Sequence, residues 1–215
     1  MYKQAVKIRL LVAIIAIAIF FVGLYLDNYV MRMIVKPIPL FVLISLIKPN
    51  THYRKFIFIG LIFSVIGDLL LEASPNFFVF GLVSFLLAHV NYIVAFIKRS
   101  KQPSLIIVII LLLYGAGLYW VLFPNLGSMA IPVLVYLLVI LTMVWRAFAQ
   151  RKFNVFAIYA LVGSLFFVFS DSLIALNKFY TVLPYSRGVI MTTYWIAQFL
   201  IFNSAFNLSG ADKKA

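Results

Sequence analysis

Along this chain, apolar runs of about 20 residues follow one another, separated by short polar breaks. A run of that length crosses the roughly 30 Å hydrocarbon core of a bilayer as a helix. The runs lack the polar–apolar alternation of barrel strands. They predict helices, which close their backbone hydrogen bonds internally as hydrocarbon demands. Eight spans are predicted, at about 8–26, 30–47, 55–73, 77–97, 104–123, 129–148, 153–176 and 187–207. The breaks are turn signals: Asp27-Asn28, Lys48-Pro49-Asn50, Ser74-Pro75-Asn76, Gln102-Pro103 and Pro124-Asn125-Leu126-Gly127. The break at 27–29 is so short that it defines the start of span 2 least well. The first run begins with basic residues and continues to Leu26 without a small-residue cleavage site. It reads as a membrane helix and not as a cleaved signal.

Composition agrees with an all-α, polytopic bundle of eight transmembrane helices forming one membrane domain over 1–215. The 215 residues are 66% hydrophobic and 11% charged, with a mean hydropathy of +1.13. The net charge of +13 would suggest nucleic acid, but its distribution displaces that reading. Lys3, Lys7 and Arg9 precede span 1; Lys48, Arg54 and Lys55 separate spans 2 and 3; Lys98, Arg99 and Lys101 separate spans 4 and 5. Arg146, Arg151 and Lys152 flank the sixth break, and Lys213-Lys214 lie in the tail. The alternate loops offer only Lys178 and Arg187. By the positive-inside rule both termini are cytoplasmic, and the expected location is a bacterial cytoplasmic (inner) membrane. Membrane lipids are the expected surroundings.

Two lines of sequence then need a reason: FSVIGDLLLE at 63–72 and FFVFSDSLIA at 166–175. Each places an aspartate in a span of a chain with only five acidic residues. The segments 60–76 and 163–179 share Gly60/Gly163, Phe63/Phe166, Val65/Val168 and Asp68/Asp171, the trace of a weak parallel repeat. An ionisable group inside a membrane helix costs about 2.5–3.5 kcal/mol on insertion scales, so it faces protein or water. At about 1.5 Å of rise per residue, Asp68, Asp171, Lys36 and Tyr194 each fall roughly 10–12 Å below the outer loops. Spans 3, 7, 2 and 8 thus share one polar layer. Gln198 is one turn below Tyr194, Glu72 one turn above Asp68, and His89 is deeper with Tyr92 on nearly its face. Gly60, Ser64 and Asp68 form a small-residue row that suits close packing or an open cavity.

Several classes are excluded. Without cysteine there is no disulfide or thiolate metal site. His52 and His89 are too far apart in kind and place to read as a metal site, and no P-loop, GxGxxG, GxSxG or HExxH is present. No metal or cofactor is expected. A structural ion pair, a proton-coupled transporter or a lipid binder, and a non-catalytic scaffold all remain compatible with the polar layer. Pro37 and Pro132 lie well inside spans, but no pair of Gly/Pro-broken spans marks a transporter-like midplane site.

A series of short motifs resembles the YhhN family, the integral-membrane lysoplasmalogenases. They are Lys36-Pro37; Gly67-Asp68-Leu69-Leu70; and Phe77, Gly81, Phe85, His89 and Tyr92. Then come Tyr136, Ile140, Met143 and Trp145-Arg146; Gly163, Phe166 and Ser170-Asp171-Ser172; and Tyr194, Ala197-Gln198 and Leu200-Ile201. The resemblance implies an eight-helix hydrolase that cleaves the alkenyl (vinyl) ether of a lysophospholipid, a lysoplasmalogen. The products are a fatty aldehyde and glycerophosphoethanolamine or glycerophosphocholine.

The residues fit that chemistry. Vinyl ether hydrolysis begins with proton transfer to carbon and passes through an oxocarbenium ion, which needs a positioned acid. Paired carboxyl groups divide into one that holds a proton and one that is ionised. Glycosidases manage a similar cation with such a pair. Asp68 and Asp171 are the expected acid–base pair. Lys36 is expected to hold phosphate or to bias one aspartate. Tyr194, Gln198, His89 and Tyr92 are expected to position water or headgroup, with Arg187 near the mouth as a further headgroup ligand.

Overall fold

The computed structural model describes residues 2–101 and 105–206, all of it helix, turn or loop with no strand among the described residues. Among the described residues nine α-helices follow in order: α1 Tyr2–Tyr25, α2 Tyr29–Val35, α3 Ile38–Leu46, α4 His52–Ala73, α5 Phe78–Arg99, α6 Val108–Leu122, α7 Ala130–Gln150, α8 Ala157–Phe179 and α9 Ser186–Asn203. With α2 and α3 taken as one span, seven helical segments among the described residues are long and apolar enough to cross a membrane. The eighth, α9, is diluted by Arg187, Thr192, Thr193, Gln198 and Asn203, and falls outside that group. The expected turn at Gln102-Pro103, the start of span 5 at 104, the end of span 8 at 207 and the Lys213-Lys214 tail lie outside the described residues.

Span 2, predicted at 30–47, is present as two helices meeting at Lys36-Pro37. Pro37 and Pro39 have no N–H, so the carbonyls of Met33 and Val35 lose their usual helical donors. Lys36 still bonds back to the Arg32 carbonyl at 3.0 Å, and Phe41 to that of Pro37 at 3.0 Å, so the axis is interrupted without reversing. His52, ahead of the predicted start of span 3 at 55, is the first residue of α4. Ahead of it, Thr51 caps the helix by accepting a hydrogen bond from the Arg54 N–H at 3.2 Å. Span 7 starts later than expected, at Ala157, because Asn154 caps it by accepting from the N–H groups of Phe156 and Ala157.

Two tight helix pairs frame the interior: α4 with α5, and α8 with α9. Both depend on a glycine that lets another helix come close. A Cβ at Gly60 would lie 2.2 Å from the ring of Tyr92, and one at Gly163 would lie 2.8 Å from the backbone carbonyl of Ala197. The Gly60–Ser64 row therefore serves close packing, with the Ser64 hydroxyl donating to the Gly60 carbonyl at 2.9 Å. The α7 helix packs against both α5 and α8 and closes the core, whereas α1 and α6 present most of their surface outward.

The two ends of the bundle differ in charge. At one end, arginines donate to carbonyls at the ends of neighbouring helices: Arg9 to Ser45 at 2.9 Å, Arg54 to Ala205 at 2.9 Å, Arg99 to Ser204 at 3.0 Å, and Arg146 to Ser100. Helix C-termini leave carbonyls without partners, and arginine there also complements the helix dipole. Among the described residues every acidic side chain, Asp27, Asp68, Glu72 and Asp171, lies toward the opposite end. A reporter fused after residue 215 is expected to report a cytoplasmic location, and one inserted at 124–128 an external one. A cytoplasmic signal from 124–128 would reverse this orientation.

Candidate active site

The polar layer is built by ionisable residues that several helices carry inward. Near the acidic end, a cavity of about 460 Å³ lies among α1, α2, α4, α5, α8 and α9. Asp68 from α4 and Asp171 from α8 both line it, together with Lys36, Glu72, Tyr194 and Arg187. Its remaining wall is largely apolar, including Phe20, Phe85, Ile174 and Met191.

One side of the cavity is a chain of alternating charges. Asp27, which leaves α1 in a left-handed turn with φ of 46°, meets Arg32 Nη1 at 3.0 Å. Arg32 Nε meets Glu72 Oε1 at 3.1 Å, and the other Glu72 oxygen lies 3.2 Å from Lys36 Nζ. Lys36 Nζ also lies 4.0 Å from Asp68 Oδ1, and the Tyr194 hydroxyl donates to Asp68 Oδ2 at 2.8 Å. Arg32, Lys36 and Asp68 are buried, so their pairing is what makes their burial tolerable. Lys36, the C-cap of α2 just before Pro37, stands at the level of Asp68 and Glu72.

The other side is different in kind. Asp171 accepts a hydrogen bond from the Tyr136 hydroxyl of α7, and among the described residues no lysine or arginine pairs with it. His89 Nε2 is 3.9 Å from Asp171 Oδ2, beyond hydrogen-bond reach, and neither ring nitrogen of His89 has a hydrogen-bond partner. The His89 ring stands edge-on to Phe167, with centroids 4.6 Å apart. The two aspartates therefore share a cavity and each holds a tyrosine hydroxyl, but only Asp68 has a cation beside it.

The expected site residues divide accordingly. Asp68, Asp171, Lys36, Tyr194 and Arg187 line the cavity, with Arg187 exposed at its rim. His89, Tyr92 and Gln198 do not line it; they are fully buried behind its wall. There the Tyr92 hydroxyl donates to Gln198 Oε1 at 2.7 Å, bracing α5 against α9. Among the described residues no group of histidine and carboxylate side chains could hold a metal ion.

The model of the YhhN family matches residues 31–205 of the chain. The chain belongs to the YhhN family. It is 40% identical over 157 residues to a human protein named lysoplasmalogenase TMEM86A, covering 69% of this chain and 64% of that one. Similarity to human lysoplasmalogenase TMEM86B is 37% identity over 158 residues, covering 74% and 66%. A Mycobacterium bovis protein named lysoplasmalogenase is 36% identical over 141 residues, covering 61% and 52%. The matches thus span less than two thirds of the length of these curated relatives. No solved structure matches the chain.

Two residues of this YhhN protein's cavity region escape a reading of the sequence. Arg32 carries a signal, being one helical turn before Lys36 and so on its face. Tyr136 belongs to the motif series of α7, but nothing in the sequence pairs it with Asp171; only the structure brings its hydroxyl there.

Proposed function

We propose that this YhhN protein is a membrane-embedded lysoplasmalogenase that hydrolyses the alkenyl ether of a lysophospholipid by carboxyl acid–base catalysis. The observation that carries the reading is the pair Asp68 and Asp171, brought from separate helices to one amphipathic cavity. The names of the relatives support the reaction.

The reaction balances with two carboxyl groups and water. A carboxylic acid gives its proton to the β-carbon of the C=C–O unit, and the π electrons form the new C–H bond. The α-carbon becomes an oxocarbenium ion, stabilised by the ionised partner across the cavity. Water adds to the α-carbon and loses a proton to a carboxylate, giving a hemiacetal. Collapse of the hemiacetal breaks the bond to glycerol and releases a fatty aldehyde and the glycerophospho-alcohol. Positively charged Lys36 faces Asp68, which suits Asp68 to the ionised role. Arg187, exposed at the rim, suits a phosphate.

A proton-coupled transporter is the second reading, favoured by the helix break beside buried charges. Purified protein incubated with an alkenyl lysolipid and with its saturated alkyl analogue separates the two. Aldehyde is expected from the alkenyl lipid alone. No aldehyde from either, with both lipids bound, would replace the hydrolase with a binder or transporter.

A further inference from the structure

The polar cavity has an apolar annex. A cleft of about 50 Å³ runs on between α5, α7 and α8, lined by Leu82, Val133, Tyr136, Ala175 and Phe179. It shares Asp171 with the polar cavity, along with Leu71, Phe78, Phe85 and Ile174. Asp68 and Lys36 do not reach it. Leu82, Ala175 and Phe179 are only partly buried, so the cleft is not sealed. The larger apolar groove, about 440 Å³ between α1, α3 and α9, shares no lining residue with either carboxyl cavity.

We infer that this cleft receives the hydrocarbon chain of the lysolipid and thereby decides which aspartate protonates it. The inference rests on the lysoplasmalogenase reading. The substrate is an amphiphile whose chain is already in lipid. Drawing each CH₂ out into water costs about 0.8 kcal/mol, so a side opening that leaves the chain in the bilayer is favoured. In an alkenyl ether the chain is attached to the β-carbon, and the β-carbon is the atom that accepts the proton. A chain seated in the cleft puts that carbon against Asp171, the one carboxyl at the junction of the two spaces. The α-carbon and ether oxygen then face the polar cavity, where Asp68, paired with Lys36 and Tyr194, can take the proton of the incoming water.

The headgroup end agrees. Lys178 and Arg187 line the cavity mouth. Neither forms an ion pair among the described residues, and the Lys178 ammonium lies 5.0 Å from the centre of the Phe78 ring. Lys178 is seven residues beyond Asp171 on one helix, roughly 10 Å along its axis. An extended glycerol spacer covers a similar distance between the β-carbon and the phosphate. Asp171 is thus the acid, Asp68 the base, and the rim cations receive the phosphate.

The test uses full-length protein with two alkenyl glycerophosphoethanolamines, one with a long chain and one with a chain of four carbons. Ala175→Trp and, in a separate protein, Val133→Phe fill the cleft. Each is expected to lower kcat/KM for the long-chain lipid at least tenfold more than for the short-chain one. Ala13→Trp, which fills the unconnected groove, is expected to change neither. Equal effects on both chain lengths, or long-chain loss from Ala13→Trp alone, would overturn the cleft. Failure of wild type to release aldehyde from either substrate would instead remove the hydrolase reading on which it rests.

Discussion

Asp171→Asn and Asp68→Asn are each expected to reduce turnover of an alkenyl lysolipid by roughly 10²–10⁴-fold, the range for loss of a general acid or base. Asparagine keeps the shape of the side chain and can still accept from Tyr136 or Tyr194, but it has no proton to give to carbon and no charge to set against the oxocarbenium ion. Asp171→Asn is expected to be the more severe, because proton transfer to carbon is the slow step. That step also predicts slower turnover in deuterated water. Binding of the saturated alkyl analogue, which has no bond to cleave, should persist in both variants and shows that they are folded. Full activity in either one would refute the acid–base assignment and leave the cluster as a structural ion network.

The second large effect is expected at Lys36, where the geometry chooses between two roles. If the lysine gripped phosphate, Lys36→Met would raise KM. Its Nζ is instead held between Glu72 at 3.2 Å and Asp68 at 4.0 Å, inside the protein. A charge pair at 4 Å is worth about 4 kcal/mol at an effective dielectric near 20. Losing a third of that from the transition state slows a reaction about tenfold. Lys36→Met is therefore expected to lower kcat at least tenfold with KM little changed, and to lower thermal stability because Glu72 and Asp68 lose a buried partner. Restoring a cation with Lys36→Arg should recover part of both losses. A raised KM with unchanged kcat would move Lys36 to the headgroup.

The paired carboxyls also explain why the cluster carries so many cations. With Arg32 and Lys36 interleaved between Asp27, Glu72 and Asp68, no two carboxyl groups on that side are left facing each other without a positive charge. Asp171 stands apart, sharing its surroundings with Tyr136, His89 and Phe167. Two chemically identical side chains thus acquire different surroundings from the helices that face them.

What the sequence determined by itself was the set of spans and the depth of their polar residues. Both follow from local rules: hydrocarbon thickness sets the length of an apolar run, and helix rise turns residue number into height. Asp68, Asp171, Lys36 and Tyr194 could be placed in one layer on that basis, and the motifs pointed to the family. Within span 2 the missing N–H groups of Pro37 and Pro39 divide the helix at Lys36, a break that the length of an apolar run does not give. Height alone does not give rotation or neighbours. Only the packing of α4 on α5 and of α8 on α9, set by glycines against Tyr92 and the Ala197 carbonyl, decided which side chains reach the cavity. It turned Asp68 and Asp171 into one space and left His89, Tyr92 and Gln198 behind its wall. The packing of α7 on α8 brought Tyr136 onto Asp171, and that of α2 on α4 set Glu72 between two cations. These are contacts between residues up to 126 positions apart, such as Tyr194 with Asp68. No periodicity within a single helix encodes them, because they depend on how each helix is turned about its axis by the others.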